Sequence, residues 1–431
     1  MAKPKLCLIP AAQGTKLFSV LPSSGVGDFD FTRSGSATRI NSQGLIETVA
    51  NGVSRLNYPM IDGVVKGCPH HILEPIATNQ VNYSEDINNN AWTKVSLTVS
   101  PNEAISPDGS LNADKLTENT TTSQHRISDI VSLVSGQEHT ISAFVKPNGS
   151  KWVRLRLENA TVGSGQINVY FDIENGVVGT EGAGVGKIEK YPNGWYRCSA
   201  TGTTNTTVNV CIVALADADG NSSYAGDASR SSYVWGVSVE NSSYLTSYIP
   251  TNGSAVTRSA ETANGSGDAA TFNDSEGVLM AEVSALVNNG ESRRISISHS
   301  AADTSNRVTL EVDETTDTIK AFMSSGNVTV GSITVNDINQ TNNNKIALLY
   351  KENTFEMHIN GFLLGSDYTI SSLPIELSRL QLEGANGSND FYGKTKQVQY
   401  YNSALTDSEI EQLTSWTSFT DMAEGQLYTI E

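Results

Sequence analysis

Short runs of alternating apolar and polar residues recur along most of this chain, set apart by turns rich in Gly and Asn, and long Leu- or Ala-rich helical stretches are absent. A side-chain period of two is the signature of strands with one face buried. The clearest case is KWVRLRLEN at residues 151–159: Val153, Leu155 and Leu157 point one way, Arg154 and Arg156 the other. HTISAFVKP at 139–147 puts Ile141, Ala143 and Val145 on one face. INVYFDIENG ends in a turn at Asn175 and Gly176, and GWYRCSATG with TVNVCIVALA reads as a hairpin. Further on, NKIALLYKENTFEMHINGFLLGS has the form of two strands around a charged turn, followed by the turn pair Asn360 and Gly361. Strand–turn recurrence over so long a stretch implies an all-β protein.

The organisation expected is an N-terminal extended segment followed by two β-sandwich (jelly-roll) domains: 1–78, 79–260 and 261–431. Residues 1–78 carry apolar side chains such as Phe29, Phe31, Leu45 and Leu56, but too little periodicity to enclose a core. They are expected to pack on a neighbour, either the next domain or another chain. The two sandwiches are expected to fold without them. Near the C-terminus, Thr406 can cap a short helix, with Glu409 completing a capping box and Ile410 and Leu413 on the packing face. The final TSFTDMAEGQLYTIE has apolar residues that could dock elsewhere.

Three sets of motifs carry a resemblance. DFDFTRSGSATRINSQGLIE, NGVSRLNY and CPHHILEPIATN, within residues 28–79, resemble a segment of tailed-bacteriophage structural proteins of the fibre, spike and decoration type. NYSEDINNNAWTK, TISAFVKP, YPNGWYRCS, YVWGVSVE and SYIPTNGSAVTRSAE resemble a carbohydrate-binding-module-like jelly roll found in phage tail and fibre proteins. FYGKTKQVQYYNSALTDSEIEQL resembles the end of a laminin-G-like, concanavalin-A-like sandwich. The resemblance implies a virion protein on the particle exterior, made in the host cytoplasm. Residues 1–78 would contact other virion proteins, a homo-oligomer such as a trimer would form, and the sandwiches would meet host cell-surface polysaccharide.

Charge excludes one class of partner. A formal net charge of −18 repels nucleic-acid phosphates, and no apolar run approaches the roughly 20 residues that span a bilayer. Neither nucleic-acid binding nor membrane insertion is expected. The opening MAKPKLCLIPAAQGTKLFSV is interrupted by Pro10 and Gln13, and is not expected to act as a cleaved signal. No CxxC occurs among Cys7, Cys68, Cys198 and Cys211. Cys198 and Cys211 could face each other across the expected hairpin, as a disulfide or as two reduced, half-buried thiols. His70 and His71 suggest a packed turn within the N-terminal segment.

Two groups of residues are candidates for a site. DADGNSSYAGD spaces the oxygen ligands Asp217, Asp219 and Asn221 as calcium loops do, with Asp227 at its end; Ser222 and Ala228 depart from the EF-hand pattern, and a solvated acidic loop would read the same. Among the aromatics, Trp195 and Trp235 sit in alternating strands and suit a core, whereas Trp152, at a strand start, suits a sugar-stacking platform, with Tyr224 and Tyr233 near the acidic loop. No nucleophile elbow, paired-carboxylate strand or HExxH motif is present, and no enzyme activity is expected. The expected function is therefore glycan recognition on a virion exterior. A secreted bacterial carbohydrate-binding protein and a purely structural capsid or tail cement protein are the alternatives.

Overall fold

A computed structural model describes residues 3–13, 16–300 and 303–425. The expected tail falls partly on 426–431, outside the described residues. The chain is all-β, with two sandwiches built from antiparallel strands and two short C-terminal helices. No helix among the described residues is long and apolar enough to cross a membrane.

One sandwich is made by residues 79–258. Its first sheet runs in the order Leu97–Ile105, Leu111–Glu118, Ser231–Glu240, Glu138–Asn148, Tyr196–Thr203 and Val185–Lys190. Its second runs Thr93–Val95, Thr122–Ser132, Val208–Ala216, Trp152–Asn159, Gly165–Asp172 and Val177–Ala183. The inward set of the sharpest alternating segment, Val153, Leu155 and Leu157, is fully buried in the core between the sheets, together with Ile141, Ala143 and Val145.

The hairpin expected from GWYRCSATG and TVNVCIVALA does not form. Tyr196–Thr203 pairs with Glu138–Asn148 and Val185–Lys190, whereas Val208–Ala216 pairs with Thr122–Ser132 and Trp152–Asn159. The link between them crosses from one sheet to the other. Cys198 and Cys211 are consequently free, fully buried thiols in opposite sheets, and burial raises both pKa values.

The other sandwich draws strands from both ends of the chain. Its sheet runs from Val328–Val335 through Ile319–Ser325, Arg307–Val312, Arg293–Ser298, Arg379–Gln381 and Thr262–Ser266 to Phe29–Thr32. It continues through Lys16–Leu21, Leu6–Gln13, Gly393–Tyr401, Glu276–Ala285, Asn344–Lys351 and Thr354–Ile359 to Phe362–Asp367. Three N-terminal strands therefore sit in the middle of the ribbon: Phe31 lies opposite Ala263, and Leu8 opposite Val398. The ribbon curls so that its ends meet; a Cβ at Gly365 would stand 2.2 Å from Ile333. Leu6, Leu8, Leu17, Phe29 and Phe31 are part of the same core as Leu279, Leu310 and Leu348.

Of the rest of the N-terminal segment, His70–Leu73 joins the same sheet by pairing with Gly393–Tyr401, and residues 37–49 cover the 79–258 sandwich. The hairpin of Ala37–Ile40 and Ile46–Val49 lies over an aromatic cluster of Phe144, Trp195, Trp235, Tyr191 and Tyr248. Trp195 and Trp235 are each 1% exposed, as the core reading of these two residues requires. Glu138–Asn148 is buried on both faces for this reason, so its alternation is muted. His70 and His71, read as a packed turn, lie instead in the buried strand His70–Leu73, opposite Asn57 and Leu56. Between next domain and other chain, the structure gives a third arrangement: residues 3–78 find partners in both sandwiches of their own chain. The sandwiches are not independent of this segment, contrary to the expectation.

At the seam lies a buried ionic cluster. Arg33 donates to Glu261 at 2.8 Å; Arg55 donates to Glu261 and, at 2.8 Å, to Glu74; Arg258 pairs with Glu74 at 2.9 Å. The Ser247 amide and hydroxyl also donate to Glu74, at 2.8 and 2.5 Å. The charged members are those of the segments FTR, VSRL, LEP and VTRSAE. Their place in the molecule is a joint between its three parts.

Candidate functional site

The outward set of Trp152–Asn159 leads to the first group of expected site residues. The Trp152 ring is partly buried against Val177–Ala183, two strands away, where Gly179 permits a close approach: a Cβ there would lie 2.5 Å from both the ring and Asp219. The structure thus brings Trp152 and Asp219 together. The remaining acidic groups do not converge. Asp217 accepts from the Asn221 amide at 2.8 Å, and Asp219 accepts from the Thr180 amide and hydroxyl at 2.7 and 3.0 Å. Asp227 accepts from Ser229. Asp217 and Asp227 close their own turns and Asp219 ties the loop to Thr180, and among the described residues no group of three His, Cys, Asp or Glu side chains could hold a metal ion.

Tyr224 is 6% exposed, and its hydroxyl donates to Glu118 at 2.7 Å. Burial, then Glu118, raises its pKa. That ring is packed rather than presented to a ligand. Tyr233 lies in the other sheet, opposite Lys115 and Lys146, partly buried against the aromatic cluster under the N-terminal hairpin. Of the three aromatic candidates, Trp152 alone lies beside the acidic loop with part of its ring uncovered, while Tyr233 stands on a separate face.

A larger site opens between the two sandwiches. It is a cleft of about 870 Å³. One wall is formed by the 134–138 turn and by 241–244, where the chain leaves Ser231–Glu240. The facing wall is formed by 289–293, which leads into Arg293–Ser298, with Glu314 and 389–392. Pro75 and Ile76 form the floor contribution of the N-terminal segment. The Arg294 amide donates to the Asn389 carbonyl at 2.9 Å and ties the two loops of the second wall together.

Arg293 is the anchor of that wall. Its side chain is 2% exposed; Nη2 donates to Asn289 at 2.7 Å and Nη1 to the Glu291 carbonyl at 3.0 Å. Burial lowers its pKa, countered by Glu291. Its Nε has no hydrogen-bond partner, and neither has the buried hydroxyl of Tyr244 on the opposite wall. Burial raises the Tyr244 pKa, so the phenol is a neutral donor near pH 7. Tyr392 donates to Asp390 at 3.0 Å, and burial raises the pKa of both. Two unfilled donors, amides at Asn241, Asn289 and Asn389, and aromatic rings from both walls suit a polyhydroxylated ligand. Buried donors of this kind are costly unless something accepts from them. None of these residues stands out in the sequence, because four separated loops meet only in the folded chain.

Compared with known proteins, the chain matches no protein-family model and no curated protein. Solved structures with some likeness include the Ruminococcus gnavus IT-sialidase CBM40 bound to alpha2,6 sialyllactose, at 11% identity and a TM-score of 0.29, covering 33% of this chain and 85% of that one. The K499G mutant of NanB sialidase from Streptococcus pneumoniae gives 14% identity and a TM-score of 0.29, over 33% of this chain and 24% of that one. A SAP-like pentraxin from Limulus polyphemus gives 10% and 0.26, over 33% of this chain and 71% of that one. A likeness this slight bears on neither ligand nor site.

Proposed function

We propose that this chain is an attachment component on the exterior of a bacteriophage particle and that it binds a host-surface glycan in the cleft between its sandwiches. The observation that carries the binding part is the pair of unfilled buried donors, Tyr244 Oη and Arg293 Nε, lining an open polar cleft of about 870 Å³. Turned toward the cleft, both can donate to sugar hydroxyls, and the Tyr244 and Tyr392 rings offer apolar faces to a pyranose. The virion part is supported by the phage-like motifs of residues 28–79. A secreted bacterial carbohydrate-binding protein would use the same cleft, and electron microscopy of labelled intact particles separates the two. Binding without turnover is part of the proposal: mass spectrometry of host capsule incubated with the protein is expected to show no time-dependent depolymerisation, and depolymerisation would overturn it.

The binding test is a glycan array probed with the full chain, followed by titration of the hits against Tyr244→Phe and Tyr392→Ala. Tyr244→Phe removes one hydroxyl and weakens binding by about tenfold, the size of one lost hydrogen bond. Circular dichroism stays unchanged. A blank array, or full affinity in both variants, overturns the cleft as the glycan site.

A further inference from the structure

A second, smaller cavity of about 180 Å³ lies where the N-terminal hairpin, the 187–197 segment, the 245–248 turn and Lys394 meet. A single water needs about 10–15 Å³ on the same measure. The space therefore admits a small polyatomic ion.

Four cationic side chains wall this cavity. Two are already paired: Arg39 with Glu47 at 3.0 Å, and Lys187 with Glu189 at 2.8 Å. Glu74, also in the wall, is held by Arg55 and Arg258. Arg197 and Lys394 make no ion pair among the described residues. Arg197 is 4% exposed, with Nη1 donating to the Thr246 carbonyl at 3.0 Å and the guanidinium 5.1 Å from the Phe144 ring centre. Its Nε and Nη2 make no hydrogen bond of good geometry, with the Tyr191 hydroxyl beside the guanidinium. They are two neighbouring donors of one planar fork, the edge that receives two oxygens of an oxyanion side by side.

We propose that this cavity binds a small oxyanion — phosphate, sulfate or a carboxylate — through Nε and Nη2 of Arg197 and the ammonium of Lys394. The carboxylate of Glu189 shares the wall, but Lys187 already neutralises it. Burial, then the Lys187 charge, lowers the pKa of Lys394, as a cation without its counter-ion would show. The wall takes residues from the N-terminal segment and from both sandwiches, so the anion acts as a removable tie among the three. This site is separate from the glycan cleft and does not depend on it.

The test titrates the full chain with phosphate, sulfate and acetate at ionic strength held constant with sodium chloride, reading thermal unfolding and heat of binding. At least one oxyanion raises the melting temperature saturably where chloride does not, and the responding arm names the source. Lys394→Met binds at least tenfold more weakly, whereas Lys394→Arg retains binding. In chloride alone, Lys394→Met melts no lower than wild type, because a half-buried cation without an ion pair is gone. Line broadening of the phosphorus resonance of phosphate by wild-type protein, competed by sulfate, reads the site without a variant. Equal responses to chloride and all oxyanions, or the same affinity in Lys394→Met, overturns the proposal.

Discussion

At the scale of single residues, the seam cluster decides how much of the molecule can be taken apart. Three guanidinium groups, of Arg33, Arg55 and Arg258, share two carboxylates, of Glu74 and Glu261, all essentially excluded from water. Removing one carboxylate strands buried positive charge, which typically costs about 3–5 kcal/mol. Glu261→Gln is expected to lose that much in urea unfolding, whereas Glu47→Gln, at an exposed pair, changes stability by less than about 1 kcal/mol. The cluster also sets an acid limit. Burial pushes Glu74 upward, but Arg258, Arg55 and Ser247 outweigh it and bring its pKa from 4.5 down to about 2. A carboxyl depressed in the folded state contributes stability that is complete above its unfolded pKa and is lost as pH falls through the folded one. Unfolding free energy is therefore expected to fall between pH 4.5 and about 2, and Glu74→Gln should flatten that part of the pH profile. A profile with the same slope in both proteins would remove Glu74 as its cause.

At the scale of elements, the exposed edge strand Phe362–Asp367 is a liability with a simple test. It ends the long ribbon, and Phe362, Leu363 and Leu364 are 68%, 46% and 44% exposed. An apolar edge with unpaired backbone groups invites a second chain. Phe362→Lys is expected to reduce concentration-dependent light scattering while shifting stability by no more than about 0.5 kcal/mol. Unchanged scattering would mean the edge is not the contact. Such strands were legible because period-two patterning survives wherever one face meets water, as in residues 151–159. The capping box at Thr406 and Glu409 was legible too, since it is a local arrangement, and it forms with both reciprocal bonds. Patterning gave no warning at Tyr196–Thr203 and Val208–Ala216: strand identity is local, but pairing is not, and in a sandwich consecutive strands can enter opposite sheets. The cleft was illegible for a related reason. Tyr244, Arg293 and Tyr392 lie in loops without periodicity, nearly 150 residues apart at the extremes, and only the meeting of two sandwiches makes them neighbours.

At the scale of the whole molecule, the N-terminal segment is a structural insert rather than an appendage. It places three strands in the middle of the sheet of the C-terminal sandwich, adds His70–Leu73 beside Gly393–Tyr401, and covers the aromatic cluster of the other sandwich with residues 37–49. Without those strands, Thr262–Ser266 and Gly393–Tyr401 would each lose a pairing partner, at Phe29–Thr32 and Leu6–Gln13. Leu279, Leu310 and Leu348 would lose the apolar cover of Phe29 and Phe31. Burying a Phe or Leu side chain contributes roughly 1.5–3 kcal/mol, so removing two Phe and three Leu with their ladder bonds is comparable to the roughly 5–15 kcal/mol that holds a typical domain together. The fragment 79–431 is therefore expected to be recovered aggregated or to lack the cooperative melting transition of the C-terminal sandwich. Adding residues 1–78 in trans should restore part of that transition if the ladder can re-form. The same arrangement bears on assembly. A segment whose strands are already paired within its own chain has its exposed surface, not its backbone edges, left for any partner, so an oligomer of this chain would form by surface contact rather than by strand exchange. Light scattering of the full chain in solution, combined with hydrogen exchange of the strands Leu6–Gln13 and Phe29–Thr32, checks this. The expectation is protection that does not depend on protein concentration. Protection that appears only as the protein associates would mean the strands are completed by another copy, and the own-chain ladder would have to be given up.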